Sequence, residues 1–139
     1  MKFNKLIPEL AVSDIKKSID FYNKILGFKI EYDRPDDKFV FLSFQGSQIM
    51  VQQTNSKWNT GKLEYPFGRG VNFQIEVDDI SPLLESLKKH NYPLFIETKD
   101  NWYLQNDVLL GNREFLVKDP DGYLLRFAQD LGSKPNTQH

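Results

Sequence analysis

His90 and His139 are the only imidazoles of this chain, and cysteine is absent. A histidine-based metal centre or a nucleophile–histidine–acid triad has no residue set to draw on, and thiolate chemistry and disulfides are excluded. His90 closes the stretch "DDISPLLESLKKHN", where a ring at a helix C-terminus suits the helix dipole, and His139 falls in the C-terminal tail. The residue that asks for a role is Arg126. In "REFLVKDPDGYLLRF" it alternates with Leu124 and Ala128 on one strand face, where a bulky charge is costly if the face is plain core. Period-2 alternation likewise groups Glu9 with Ile7, and Glu76 with Asn72 and Gln74. Asp14, Asp79, Asp119 and Asp121 sit where caps and turns are expected, so their reading is structural rather than catalytic.

These residues need elements to hold them. "KLIPELAV" (5–12) reads as a strand and "SDIKKSIDFYNKILG" as a helix, with Ser13 or Asp14 to cap it and Gly27 to end it. "FKIEYD", "KFVFLSF" and "QIMVQQT" follow as short strands. The order then repeats: "GVNFQIEV" as strand, "DDISPLLESLKKHN" as helix with Ser81 and Pro82 at its start, then "YPLFIET", "REFLVKD" and "YLLRFAQ" as strands. Val12-Ser13-Asp14-Ile15 lies over Val77-Asp78-Asp79-Ile80, and the turn at Gly46 over the turn at Gly122, an internal duplication of β-α-β-β-β. The segments 55–69 and 99–112 read as long loops rich in Trp, Tyr, Asn and Gly, and Ser133 onward as a flexible tail.

Composition bounds the partners. Net charge is −1, so no global field attracts nucleic acid or an anionic membrane. No apolar run approaches a membrane span and "MKFNKLIPEL" lacks a signal-peptide core, so cytoplasmic residence is expected. Aromatic residues make up 14 % of the chain, enough to supply a core and also to line a site for a flat ligand.

The stretches "LAVSDIKKSIDFYNKILGF", "GVNFQIEVDDI" and "DPDGYLLRF" together resemble the glyoxalase/bleomycin-resistance/extradiol-dioxygenase superfamily, also called vicinal oxygen chelate, over residues 5–130. The resemblance implies an α+β fold in which two βαβββ modules form a curled, cup-shaped mixed sheet within a homodimer. The domain is expected over 1–132, with module one about 5–54 and module two about 70–130, and 133–139 as tail. Enzymes of the superfamily hold a divalent metal in the cup, and the ligand positions carry over to Ile7, Met50, Asn72 and Arg126. None is a usual ligand: isoleucine has no donor, methionine is a soft thioether, and arginine is permanently cationic. This departure points to the bleomycin-resistance branch, which implies no cofactor and a cleft that sequesters a small molecule, such as a bleomycin-type antibiotic, rather than a catalytic site; a glyoxalase-like lyase or dioxygenase is the alternative. The polar anchors expected are Glu9, Asn72, Gln74 and Arg126, and the apolar walls Phe41, Met50, Trp58, Trp102 and Tyr103. Glu9, if it faces the cup, would meet a cationic ligand group or pair with Arg126; as an edge charge it would pair with Lys or Arg.

Overall fold

The computed structural model describes residues 1–137, so His139 lies outside the described residues. The elements are β1 (Glu9–Val12), α1 (Ile15–Ile19), β2 (Lys29–Arg34), β3 (Phe39–Phe44), β4 (Ser47–Gln53), β5 (Asn72–Val77), α2 (Ser81–Lys89), β6 (Ile96–Gln105), β7 (Val108–Lys118) and β8 (Leu124–Pro135). They form two four-stranded mixed sheets with one shared plan, β1-β4-β3-β2 and β5-β8-β7-β6, the first pair of each parallel and the rest antiparallel. The duplication read from the sequence is therefore a duplication of topology. Contacts divide the chain into two compact units, Met1–Gly70 with Asp119–Tyr123, and Val71–Lys118 with the chain from Leu124 on.

The two modules also start their helices alike. Asp14 accepts from the Lys16 and Lys17 amides, and Asp79 from the Ser81 amide. The last strand of each module then sends a glutamine to the helix start. Gln53 Oε1 accepts from Ile15 N at 3.2 Å, and Gln129 Oε1 from Ile80 N at 3.1 Å. Each fills a helix-terminal N–H that no intrahelical carbonyl can reach.

In the first unit, β1 is shorter than expected because Pro8 has no N–H to donate, although its carbonyl still accepts from Met50 N at 2.9 Å. The predicted helix continues past α1 as a π-helical stretch, Asp20–Ile25. The wider turn lets the consecutive residues Phe21 and Tyr22 both be fully buried, ring edge to ring face at 5.0 Å. The turn Asp119–Tyr123 is part of this unit. Asp119 Oδ1 accepts from the Asp121 and Tyr123 amides, as the sequence suggests, but its Oδ2 takes the Tyr22 hydroxyl at 2.8 Å. Asp121 accepts from Ser13 N, and the Tyr123 hydroxyl donates to Ala11 O. Gly122 has φ +94°, and a Cβ there would fall 2.5 Å from Pro66, so both conformation and space require glycine. Burial pushes Asp119 up to about 6 against these hydrogen bonds, and Tyr123 up to about 12.

In the second unit, Ile75, Val77, Phe115, Val117, Leu125 and Phe127 alternate onto one buried sheet face, with Phe115 and Phe127 stacked at 5.5 Å. Leu83 and Leu87, one helical turn apart, form the buried stripe of α2. His90 caps the helix end, its Nδ1 lying 2.8 Å from Ser86 O.

Two expectations change here. Residues 99–112 are a β-hairpin rather than a loop: β6 and β7 pair from Gln105↔Val108 outward, leaving Asn106 and Asp107 as a two-residue turn with Asn106 at φ +54°. Of the residues that suggested a loop, Asn101, Tyr103 and Asn112 share one face of that ribbon, and Trp102 and Gly111 the other. The chain past Gly132 is also strand as far as Pro135, with Leu110↔Ser133 and Val108↔Pro135 in register, because β7 extends far enough to give it a partner.

Candidate functional site

The face of the second sheet opposite its buried core carries Asn72, Gln74 and Glu76 on β5, Arg126 and Ala128 on β8, Glu114 and Asn112 on β7, and Asn101 and Tyr103 on β6. Parity decides this: Gln74 is in register with Arg126, Glu76 with Ala128, and Glu114 with Ala128 from the other side. The alternative register, with Leu125 and Phe127 on this face, is excluded, since both are buried on the other.

Arg126 is held in a network. Its Nη2 donates to Glu114 Oε2 at 3.1 Å and its Nη1 to Asn72 Oδ1 at 3.4 Å. Glu114, only 4 % exposed, also accepts from Asn101 Nδ2 at 3.0 Å and from the Tyr103 hydroxyl at 3.4 Å. Asn101 reaches Asn112 as well. The buried carboxylate thus has a charged partner and two neutral donors, the arrangement that makes burial of a charge tolerable. Over this network lies a cleft of about 400 Å³ bounded by Gln74, Glu76, Tyr103, Leu110, Arg126 and Asp130. Arg126 keeps N–H groups beyond the two already committed, and they are available to an acceptor in the cleft. Tyr103 and Leu110 give it an apolar wall.

The predicted residues are distributed as follows. Asn72, Gln74, Tyr103 and Arg126 share this face of the second unit. Trp102 does not: as the neighbour of Tyr103 on β6 it faces the other way, over Gly111 and beneath Lys134, whose Nζ is 3.9 Å from the ring centroid. Glu9, Phe41, Met50 and Trp58 belong to the first unit. Met50 lies in register between Glu9 and Phe41. Phe41 is 1 % exposed, with Tyr32 stacked at 5.1 Å and the Phe3 edge at 5.4 Å, so its ring is covered by the protein's own aromatics. Trp58 and Glu9 line a smaller pocket of about 170 Å³ in that unit. Arg126 takes Glu114 as its carboxylate, not Glu9. Glu114 is the residue the sequence reading missed. The alternation that singled out Arg126 also singles out Glu114 in "NREFLVKD", an acid between asparagine and leucine on a strand whose other face is Phe115 and Val117.

The residues at the carried-over positions do not fit the family's divalent metal. In the second unit Asn72 Oδ1 already accepts from a guanidinium that would repel a metal ion. In the first, Ile7 has no donor and Met50 only a thioether. Among the described residues no group of three His, Cys, Asp or Glu side chains converges.

A family model described as the Glyoxalase/Bleomycin resistance protein/Dioxygenase superfamily matches residues 4–127. The chain is 31 % identical to a bleomycin resistance protein of Geobacillus stearothermophilus, covering 91 % of this chain and 97 % of that one. It is 28 % identical to a lactoylglutathione lyase of Neisseria meningitidis, over 86 % of each. Among solved structures it resembles TioX from Micromonospora sp. ML1, with a TM-score of 0.71, 19 % identity, and coverage of 93 % of this chain and 100 % of that one.

Proposed function

This chain belongs to the glyoxalase/bleomycin resistance protein/dioxygenase superfamily, and from that premise we propose that it is a metal-independent binding protein for a small, partly aromatic molecule. The observation that carries this reading is the guanidinium of Arg126, fixed by Glu114 and Asn72 at the floor of a cleft. A fixed cation with spare donors suits a ligand carbonyl or carboxylate, and the wall of Tyr103 and Leu110 suits a ring beside it. The cleft volume of about 400 Å³ is of the size that takes a small molecule. The relative named as a bleomycin resistance protein supports the class, and a bleomycin-type antibiotic is the first ligand to try. Function would be sequestration by a cytoplasmic homodimer: a ligand held in the cleft is kept from its target, and protection scales with affinity and copy number. Among the described residues no helix is long and apolar enough to cross a membrane.

A second reading, a glyoxalase-like lyase, is favoured by the lactoylglutathione lyase relative. It asks for a metal that the residues at the expected positions do not fit. One experiment separates the two. Thermal shifts are measured against bleomycin and a panel of aromatic antibiotics and metabolites, since a ligand of the native state raises apparent stability. In parallel the protein is assayed for lactoylglutathione formation with added nickel or zinc. A shift with at least one aromatic ligand and no turnover supports binding; metal-dependent turnover at enzyme-like rates overturns it.

A further inference from the structure

The pocket in the first unit has a composition that the cleft of the second does not explain. It lies where β1 and the end of β4 meet the segment 54–63, and its walls include Glu9, Gln52, Trp58, Asn59 and Leu63. Glu9 heads β1 and is exposed, and its carboxylate has no hydrogen-bond or ion-pair partner among the described residues. Trp58 is 72 % exposed with no ring partner among the described residues. An indole normally buries most of its surface, so one left open at a pocket mouth has a face to offer. Two amides have each spent a hydrogen inside the protein. Gln52 Nε2 donates to Asp37 O at 3.2 Å, and Asn59 Nδ2 to Thr54 Oγ1 at 3.1 Å. Their carbonyl oxygens remain as acceptors. The Tyr123 hydroxyl, also at the wall, donates its hydrogen bond to Ala11 O.

No Lys or Arg is among the lining residues. The pocket thus combines one free carboxylate, several free acceptors and an aromatic face, with no side-chain cation. That set repels anions. A divalent metal asks for more than one charged ligand, and no such cluster exists among the described residues. The ligand it suits is a cation with an apolar body, which a carboxylate neutralises while an indole face covers the methyl or methylene groups around the charge. A volume of about 170 Å³ is enough for a substituted ammonium with a short arm.

We propose that the first unit carries a binding site for a small organic ammonium ion, held between the Glu9 carboxylate and the Trp58 indole. Its lining comes from the first unit alone and shares no residue with the cleft around Arg126.

The chain has two tryptophans, Trp58 and Trp102. Trp102→Phe leaves Trp58 as the single indole reporter, and its emission is followed while choline is titrated in. 3,3-Dimethyl-1-butanol, the uncharged carbon analogue of choline, serves as the comparison. The expected result is a saturable change with choline and an affinity for the neutral analogue weaker by about tenfold or more. Glu9→Gln in the same background should weaken choline by about fivefold or more, without loss of the folded far-ultraviolet spectrum. The proposal is overturned by a response that does not saturate, by equal binding of the neutral analogue, or by an unchanged choline affinity in Glu9→Gln.

Discussion

Arg126 and Glu114 are joined across neighbouring strands by a 3.1 Å hydrogen bond, with the carboxylate side chain 5 % and the guanidinium side chain 25 % exposed. The pair reverses the sign expected for an apolar substitution. Taken alone, a half-buried arginine replaced by leucine could be neutral or stabilising. With Glu114 left behind, its charge loses the one cationic partner it has among the described residues, and Arg126→Leu should cost about 3 kcal/mol. That is the low end for breaking a buried pair, because Arg126 retains some water. Arg126→Leu with Glu114→Leu should recover most of the loss. Chemical denaturation of the three variants checks this. Equal stability of Arg126→Leu and wild type would mean the pair contributes nothing.

Tyr103 and Trp102 should separate binding from folding. Tyr103→Ala removes a cleft wall and a donor to Glu114, so ligand affinity should fall by about 1–2 kcal/mol, read by calorimetry. Trp102→Ala should leave affinity within about 0.5 kcal/mol and lower stability instead, because its ring packs on Gly111 and Lys134 away from the cleft. Gly111→Ala tests the same packing from below. A Cβ there would stand 2.5 Å from the Trp102 ring, so the ring must shift, and the expected readout is a red shift of its fluorescence.

Asp119 gives stability a pH dependence of defined sign. Its carboxyl is raised from 3.8 to about 6 in the folded chain, chiefly by burial. Below the unfolded value both states are protonated; between the two values only the native state keeps the proton. The contribution is therefore complete below about pH 4 and lost as pH rises through about 6, a change of about 3 kcal/mol. Asp119→Asn keeps an oxygen for the Asp121 and Tyr123 amides and cannot ionise. The stability difference between it and wild type should move in the variant's favour from pH 4 to pH 7. A flat difference would show that Asp119 titrates normally.

The glutamine braces predict matched losses. Gln53→Ala and Gln129→Ala each remove one acceptor from a helix-start amide, at 3.2 and 3.1 Å respectively. Each should cost about 1 kcal/mol, and the double variant about twice that, since the braces serve separate modules.

The proposed homodimer is checked by sedimentation at micromolar concentration. A sedimenting species of twice the chain mass is expected, and a monomer would remove any cleft formed between subunits.

Legibility in the sequence followed periodicity. The β-α-β-β-β repeat was readable because Val12 to Ile15 and Val77 to Ile80 share a pattern, and the face of Arg126 because alternation is strict on β8. The hairpin of β6 and β7 was not. Its tip is polar, and the Trp102/Leu104 and Leu109/Gly111 alternation is weak once a glycine interrupts it. Glu114 went unread because opposite charges on neighbouring strands are related by register, which one sequence does not display. Phe41 was correctly placed on its strand, but its ring is covered by Tyr32 and by Phe3, the second a residue that no local pattern ties to it.

The turn Asp119–Tyr123 bears on how the molecule could be divided. The repeat invites a cut near Gly70, giving two halves of one plan. Such a cut would take from the first half a piece of itself: the carboxylate that receives the Tyr22 hydroxyl, the acceptor of Ser13 N, and the phenol on Ala11 O all come from the far end of the chain. The halves are alike in design but unequal in self-sufficiency. A first half expressed alone would have a buried phenol without its carboxylate, whereas one carrying a grafted copy of the turn would be a fair test of whether the ancestral unit could once have stood by itself.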